Sequence, residues 1–116
     1  MRRHTISFRN AFRGLKWAFS SQPNYIIHLV LSILALSGGV YFGISYNEFL
    51  TIFVLIFVGL AIETVNTALE ETNDAIDLNK RKDIGLAKDI AAGAMLMFAI
   101  GAFFIACIIF LPKIFY

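Results

Sequence analysis

Glu63, Asn66, Glu70, Asp74 and Asp77 recur at intervals of three and four residues within the stretch ETVNTALEETNDAID. At about 100° per residue, a continuous helix carries them along one face. Directly before them lies the apolar run 49–62, FLTIFVLIFVGLAI. At about 1.5 Å per residue that run rises only ~21 Å, against a hydrocarbon core of roughly 30 Å. A spanning helix must therefore continue past Glu63, so Glu63 and Asn66 belong to the span. An ionisable group there costs about 2.5–3.5 kcal/mol on insertion scales, and a polar pathway, a partner or a reaction is the usual reason for keeping it. Asp74, Asp77 and Glu71 taken alone are the ordinary solvated charge of a helix leaving the membrane. Glu63 and Asn66 sit one and two turns inside that edge and are the candidate working residues.

Carboxylates at helical spacing suit Mg²⁺, which binds through one or two carboxylates plus substrate phosphates. A lysine beside them, Lys88, can neutralise phosphate. A carboxylate set deeper, as Glu63 is, can act as general base toward a hydroxyl held in the bilayer. These pieces point to phosphoryl transfer to a lipid alcohol. Two other readings fit the same stripe: a non-catalytic assembly protein whose buried Glu and Asn hold helices together, and a small cation carrier. The chain has no GxxxxGK[ST] loop, no GxGxxG and no HRD or DFG signature.

The elements that must position these residues follow from composition. One compact unit is what 116 residues support, and 59% hydrophobic residues with a mean hydropathy of +0.74 describe an all-α integral membrane protein. A net charge of +2 on scattered basic residues excludes a nucleic-acid partner. Cys107 lies inside an apolar run, cannot form an intrachain disulfide and reads as a packing residue. The basic N-terminus leads into an amphipathic segment before any long apolar run, so no cleavable signal is read.

Residues 5–20 place Phe8, Phe12, Leu15 and Phe19 on one face, with Arg9, Arg13 and Lys16 largely off it. This is an amphipathic helix for the membrane interface. Trp17 and the arginines fit equally a stop-transfer anchor and a part in closing a site over a headgroup. Pro23 suits the start of the next helix, whose span covers 25–44. His28, its one ionisable side chain, reads as a snorkelling or hydrogen-bonded interface residue. A tight polar turn, Ser45–Glu48, makes the next helix an antiparallel neighbour; its span covers about 48–72 and the helix runs on to Ile76. Residues 77–87 read as an exposed loop. A last helix starts at about 85, spans 88–111 with small residues that permit close approach, and ends at Pro112. Of the 10 basic residues all but Lys113 fall in the N-terminal segment or in 77–88, which puts those regions, and the acidic ridge, on the cytoplasmic side.

At the ridge the sequence becomes recognisable. Glu63-Thr-Val-Asn66-Thr-Ala-Leu-Glu70, then Asp74, then Ala87-Lys88-Asp89-Ile-Ala-Ala-Gly-Ala, resembles the bacterial diacylglycerol kinase and undecaprenol kinase family, over nearly the whole chain from Phe12-Arg13-Gly14-Leu15 onward. The resemblance implies a homotrimeric kinase of the bacterial inner membrane, with an N-terminal surface helix on the cytoplasmic side and three spans, that uses Mg-ATP to phosphorylate a lipid hydroxyl. It implies Glu63 as catalytic base and Glu70 as a Mg²⁺ ligand, with Asn66 organising the site. Lys88 would hold phosphates, Asp89 and Asp74 would serve the nucleotide, and Arg3, Lys80 and Arg81 match further nucleotide contacts. Asn24 and His28 follow the undecaprenol type more than the diacylglycerol type. The chain departs from the family pattern in one place: Gln22 stands where a second metal-binding glutamate is usual, and an amide oxygen can coordinate Mg²⁺ but brings no charge.

Overall fold

A computed structural model describes residues 2–76 and 82–116, with side chains from Ser7 onward. The helices are α1 Arg2–Ser21, α2 Asn24–Phe42, α3 Tyr46–Ile76 and α4 Lys82–Phe115, and the described residues contain no strand. Three of them, α2, α3 and α4, are long and apolar enough to cross a membrane. At about 1.5 Å per residue, α2 rises ~28 Å, close to one hydrocarbon thickness. The 31 residues of α3 rise ~46 Å, so its C-terminal part projects beyond the hydrocarbon with the acidic ridge on it.

The exposure pattern is that of a protein whose solvent is lipid. Large apolar side chains along all three spans face outward, whereas Glu63, Thr67 and Asn73 of α3 are buried. The polar residues turn inward because hydrocarbon satisfies no hydrogen bond, and a polar side chain inside a span must find its partner within the protein. Thr67 donates to the Glu63 carbonyl and Asn73 to the Leu69 carbonyl.

The connection between α2 and α3 is closed by local chemistry. Gly43 ends α2 with φ +63°, a left-handed conformation that glycine adopts without a Cβ clash. Its N–H and that of Ile44 bond back to the Val40 and Gly39 carbonyls. Ser45 then caps α3: its Oγ accepts the Glu48 N–H at 3.2 Å while Glu48 Oε1 accepts the Ser45 N–H at 2.9 Å. Beside this turn, Ile44, Ile52 and Ile109 form the apolar core that joins α2, α3 and α4. At the other end of the spans, Tyr25 is fully buried, stacks near Phe19 of α1 and bonds Thr64 of α3 at 2.7 Å. Since Thr64 already donates to the Leu60 carbonyl, the Tyr25 hydroxyl is the donor.

Both boundaries of the last helix differ from the sequence expectation. The last helix begins at Lys82, inside the segment expected to be loop, because Ile84, Lys88 and Ala91 share a face at four- and three-residue spacing, with Ile84 and Ala91 buried. It also passes through Pro112 to Phe115 instead of ending there. Proline costs one backbone donor and crowds the carbonyl four residues back, but its φ is helical, and at a helix terminus few further bonds depend on that turn. The remaining expected loop residues, 77–81, lie outside the described part.

At Gly59 the spans pack closely. A Cβ built there would meet Phe98 of α4 at 2.7 and 2.8 Å and the His28 ring of α2 at 3.4 Å. Gly59→Ala should therefore force the Phe98 ring aside and destabilise the bundle by about 1–3 kcal/mol. The thermal unfolding midpoint in detergent checks this, and an unchanged midpoint would mean that the α3–α4 packing gives way freely.

Candidate active site

The ridge is built by helical repeat. Glu63 is 2% exposed and lies one turn after Gly59, where α3 packs against Phe98 of α4. Asn66 and Glu70 are half-buried on the same face, and Asn66 Nδ2 donates to Glu70 Oε1 at 3.3 Å. Asp74 extends the face and receives Lys88 from α4 at 2.8 Å. Sequence spacing alone places the first three together; the meeting of Lys88 with Asp74 depends on α3 and α4 lying side by side. Asp89, next to Lys88, is exposed.

The His28 reading needs revision. Its Nε2 lies 3.8 Å from Glu63 Oε2, with the two side chains 17% and 3% exposed, so it faces the buried carboxylate and not only the membrane interface. Tyr25, Thr64, Thr67 and Asn73 also belong to the neighbourhood and were not foreseen. Thr67 stands four residues after Glu63, so periodicity could have found it; the Tyr25–Thr64 bond joins residues 39 apart and left no local signal.

Of the remaining expected residues, Gln22 makes no hydrogen bond to the ridge and the others lie wholly or partly outside the described residues. Gln22 is half-buried at the α1–α2 joint, where its carbonyl accepts the Tyr25 N–H at 3.4 Å, and its side chain makes no hydrogen bond to Glu70. Arg3 lies in the first turn of α1, at a position whose side chain is outside the described part. Lys80, Arg81 and Asp77 are likewise outside the described residues.

The residues present fit a magnesium ion of the kind that works with phosphates. Among the described residues no three His, Cys, Asp or Glu side chains converge to hold a metal alone. Mg²⁺ keeps several waters and takes one or two carboxylates plus substrate phosphates, so it does not need such a cage. Glu70 offers the carboxylate, and Asn66 Oδ1 is a buried oxygen without a hydrogen-bond partner, an acceptor that the fold itself leaves unused.

Away from the ridge, a largely apolar cavity of about 410 Å³ runs between α2, α3 and α4. Its wall includes His28, Ser32, Ile56, Phe98 and Ala102, so it reaches from the neighbourhood of Glu63 into the depth of the spans.

An all-α bundle of three spanning helices with a carboxylate buried beside an acidic ridge defines an integral membrane protein with a polar centre at one end of its spans. The model of the prokaryotic diacylglycerol kinases matches residues 9–110, and the chain belongs to that family of membrane lipid kinases. It is similar to a protein named undecaprenol kinase from Bacillus subtilis (strain 168), with 35% identity over 108 residues, 93% of this chain and 88% of the relative. It is also similar to a protein named diacylglycerol kinase from Synechocystis sp. (strain ATCC 27184 / PCC 6803 / Kazusa), with 30% identity over 113 residues, 94% of this chain. The match spans 63% of that second relative's length.

The Lys88–Asp74 pair has side chains 39% and 42% exposed, and exposed ion pairs are screened and contribute little to stability. Asp74→Asn should therefore leave the unfolding midpoint where it is. A clear fall would show that the pair holds α4 against α3 and that Lys88 is not free to engage another anion.

Proposed function

We propose that this protein transfers the γ-phosphate of ATP to the hydroxyl of a membrane lipid alcohol, undecaprenol or diacylglycerol. The observation that carries the reading is Glu63, a carboxylate 2% exposed within a span, on the face that continues into the Asn66–Glu70 pair. The family membership supports the reaction class, and the names of the two relatives supply the two candidate alcohols. The apolar cavity beside His28 suits the hydrocarbon part of such a substrate, with its hydroxyl toward Glu63.

In this reading Glu63 accepts the proton of the lipid hydroxyl as its oxygen bonds to the γ-phosphorus and the bond from that phosphorus to the β,γ-bridging oxygen breaks, releasing ADP. Glu70, with Asn66 Oδ1 and Gln22 as further oxygens, would hold Mg²⁺, which supplies charge neutralisation to the phosphates. Lys88 leaves Asp74 to hold phosphate oxygens, and Asp89, Asp74, Arg3, Lys80 and Arg81 serve the nucleotide. The protein works as a homotrimer in the bacterial cytoplasmic membrane with its N-terminus in the cytoplasm; the family resemblance supports the trimer, and the basic residues at the ridge end support the orientation.

Glu63→Gln keeps shape and removes the proton acceptor, so turnover should fall by about 10²–10⁴-fold with folding and Mg-ATP binding retained. Transfer of labelled γ-phosphate to a panel containing diacylglycerol and a polyprenol tests both the reaction and the alcohol. Most of the wild-type rate in the variant would remove Glu63 as base, and transfer to neither alcohol by the wild type would remove the kinase reading.

Magnesium titration at fixed ATP and lipid separates the ligand roles. Glu70→Ala should raise the magnesium concentration at half-maximal activity, and Gln22→Glu should lower it, because a hard cation is held more tightly as ligand charge increases. An unchanged midpoint in Gln22→Glu would take residue 22 out of the metal site.

A further inference from the structure

His28 is joined to the centre of the site by three independent observations. Its Nε2 is 3.8 Å from Glu63 Oε2, longer than a good hydrogen bond and within ion-pair range. Its Nδ1 edge lies against α3 at Gly59, 3.4 Å from where a Cβ would stand, which fixes the face of α3 that the ring meets. The same ring forms part of the wall of the apolar cavity. A carboxylate placed in a span normally faces a named partner, and on α2 that partner is this imidazole.

We propose that His28 is a positioning residue for Glu63: its Nε2–H engages Oε2 and fixes the carboxylate, leaving Oε1 to accept the proton of a hydroxyl delivered from the cavity. The proposal rests on the kinase reading above. Imidazole suits the task because it is short, stiff and able to donate from one nitrogen while the other faces α3 near Gly59. A carboxylate without this contact can rotate about its last bond, and general-base catalysis depends on reach and alignment.

Two variants and one spectroscopic measurement test this. His28→Gln keeps a donor of comparable reach, whereas His28→Leu keeps apolar bulk and loses the donor. His28→Leu should lower kcat for lipid phosphorylation by about 10–100-fold, a part of the range that a general base supplies, with KM for ATP and for lipid and the unfolding midpoint little changed. His28→Gln should recover most of that loss. The protein contains 2 histidines, so ¹⁵N-histidine labelling with a His4→Gln reference assigns the ring of His28. Its Nε2 resonance should carry a proton and should shift in Glu63→Gln. Wild-type kcat in His28→Leu overturns the proposal, and so does an equal loss in both variants accompanied by lower stability, which a purely structural ring would give. An Nε2 signal indifferent to Glu63→Gln overturns it even where His28→Leu fails to fold. A wild-type protein inactive on every lipid alcohol is a different result: it overturns the kinase reading and the positioning role with it.

Discussion

A carboxylate placed inside a membrane span is the constraint around which this structure is arranged. Lipid offers Glu63 neither hydrogen bonds nor counter-charge, and the cost of about 2.5–3.5 kcal/mol at a helix centre has to be met by enclosure within protein. The surroundings are built accordingly. Gly59, one turn earlier, lets α3 approach Phe98 of α4, with His28 of α2 at the same level. Thr67, one turn later, closes on the Glu63 carbonyl and adds no further unsatisfied group. Tyr25 and Thr64 tie the start of α2 to the same stretch of α3, which keeps His28 at its height beside the carboxylate.

Beyond Glu63 the ridge becomes progressively wetter. Asn66 and Glu70 are half-buried, and Asp74 meets Lys88 in the open. Burial therefore grades a single helical face, from the dry position of Glu63 to the open one of Asp74. Lys88 is held by an exposed pair, which a multiply charged phosphate can displace at little cost.

The ridge itself was legible because helical repeat is a local property: Glu63, Asn66, Glu70 and Asp74 declare one face by spacing alone, and the short apolar run before them declares their depth. The surface helix, the three spans and the family were legible for the same reason, each resting on residues close together in the chain. What stayed hidden needed two helices at once. His28 looked like an edge residue because nothing in α2 signals that Glu63 of α3 stands opposite its ring. Ile84 and Ala91 carried a helical spacing that the surrounding charge and glycine masked, so the start of α4 was placed too late. Pro112 was given the weight it has in mid-helix, whereas near a terminus it removes little.

The turn at Gly43–Ser45 bears on how this bundle is fastened. A left-handed glycine cap, a reciprocal Ser45–Glu48 cap and the Ile44, Ile52 and Ile109 cluster lock α2, α3 and α4 together at that end. At the opposite end the buried Tyr25 bonds Thr64 and fastens α2 to α3 a second time. His28 lies ~21 Å up α2 from the Gly43–Ser45 end, by about 1.5 Å per residue over the intervening turns. His28 and the buried carboxylate thus lie between two fastenings and nearer the second, like the loaded point of a beam clamped at both ends, and α2 keeps its spacing from α3 there.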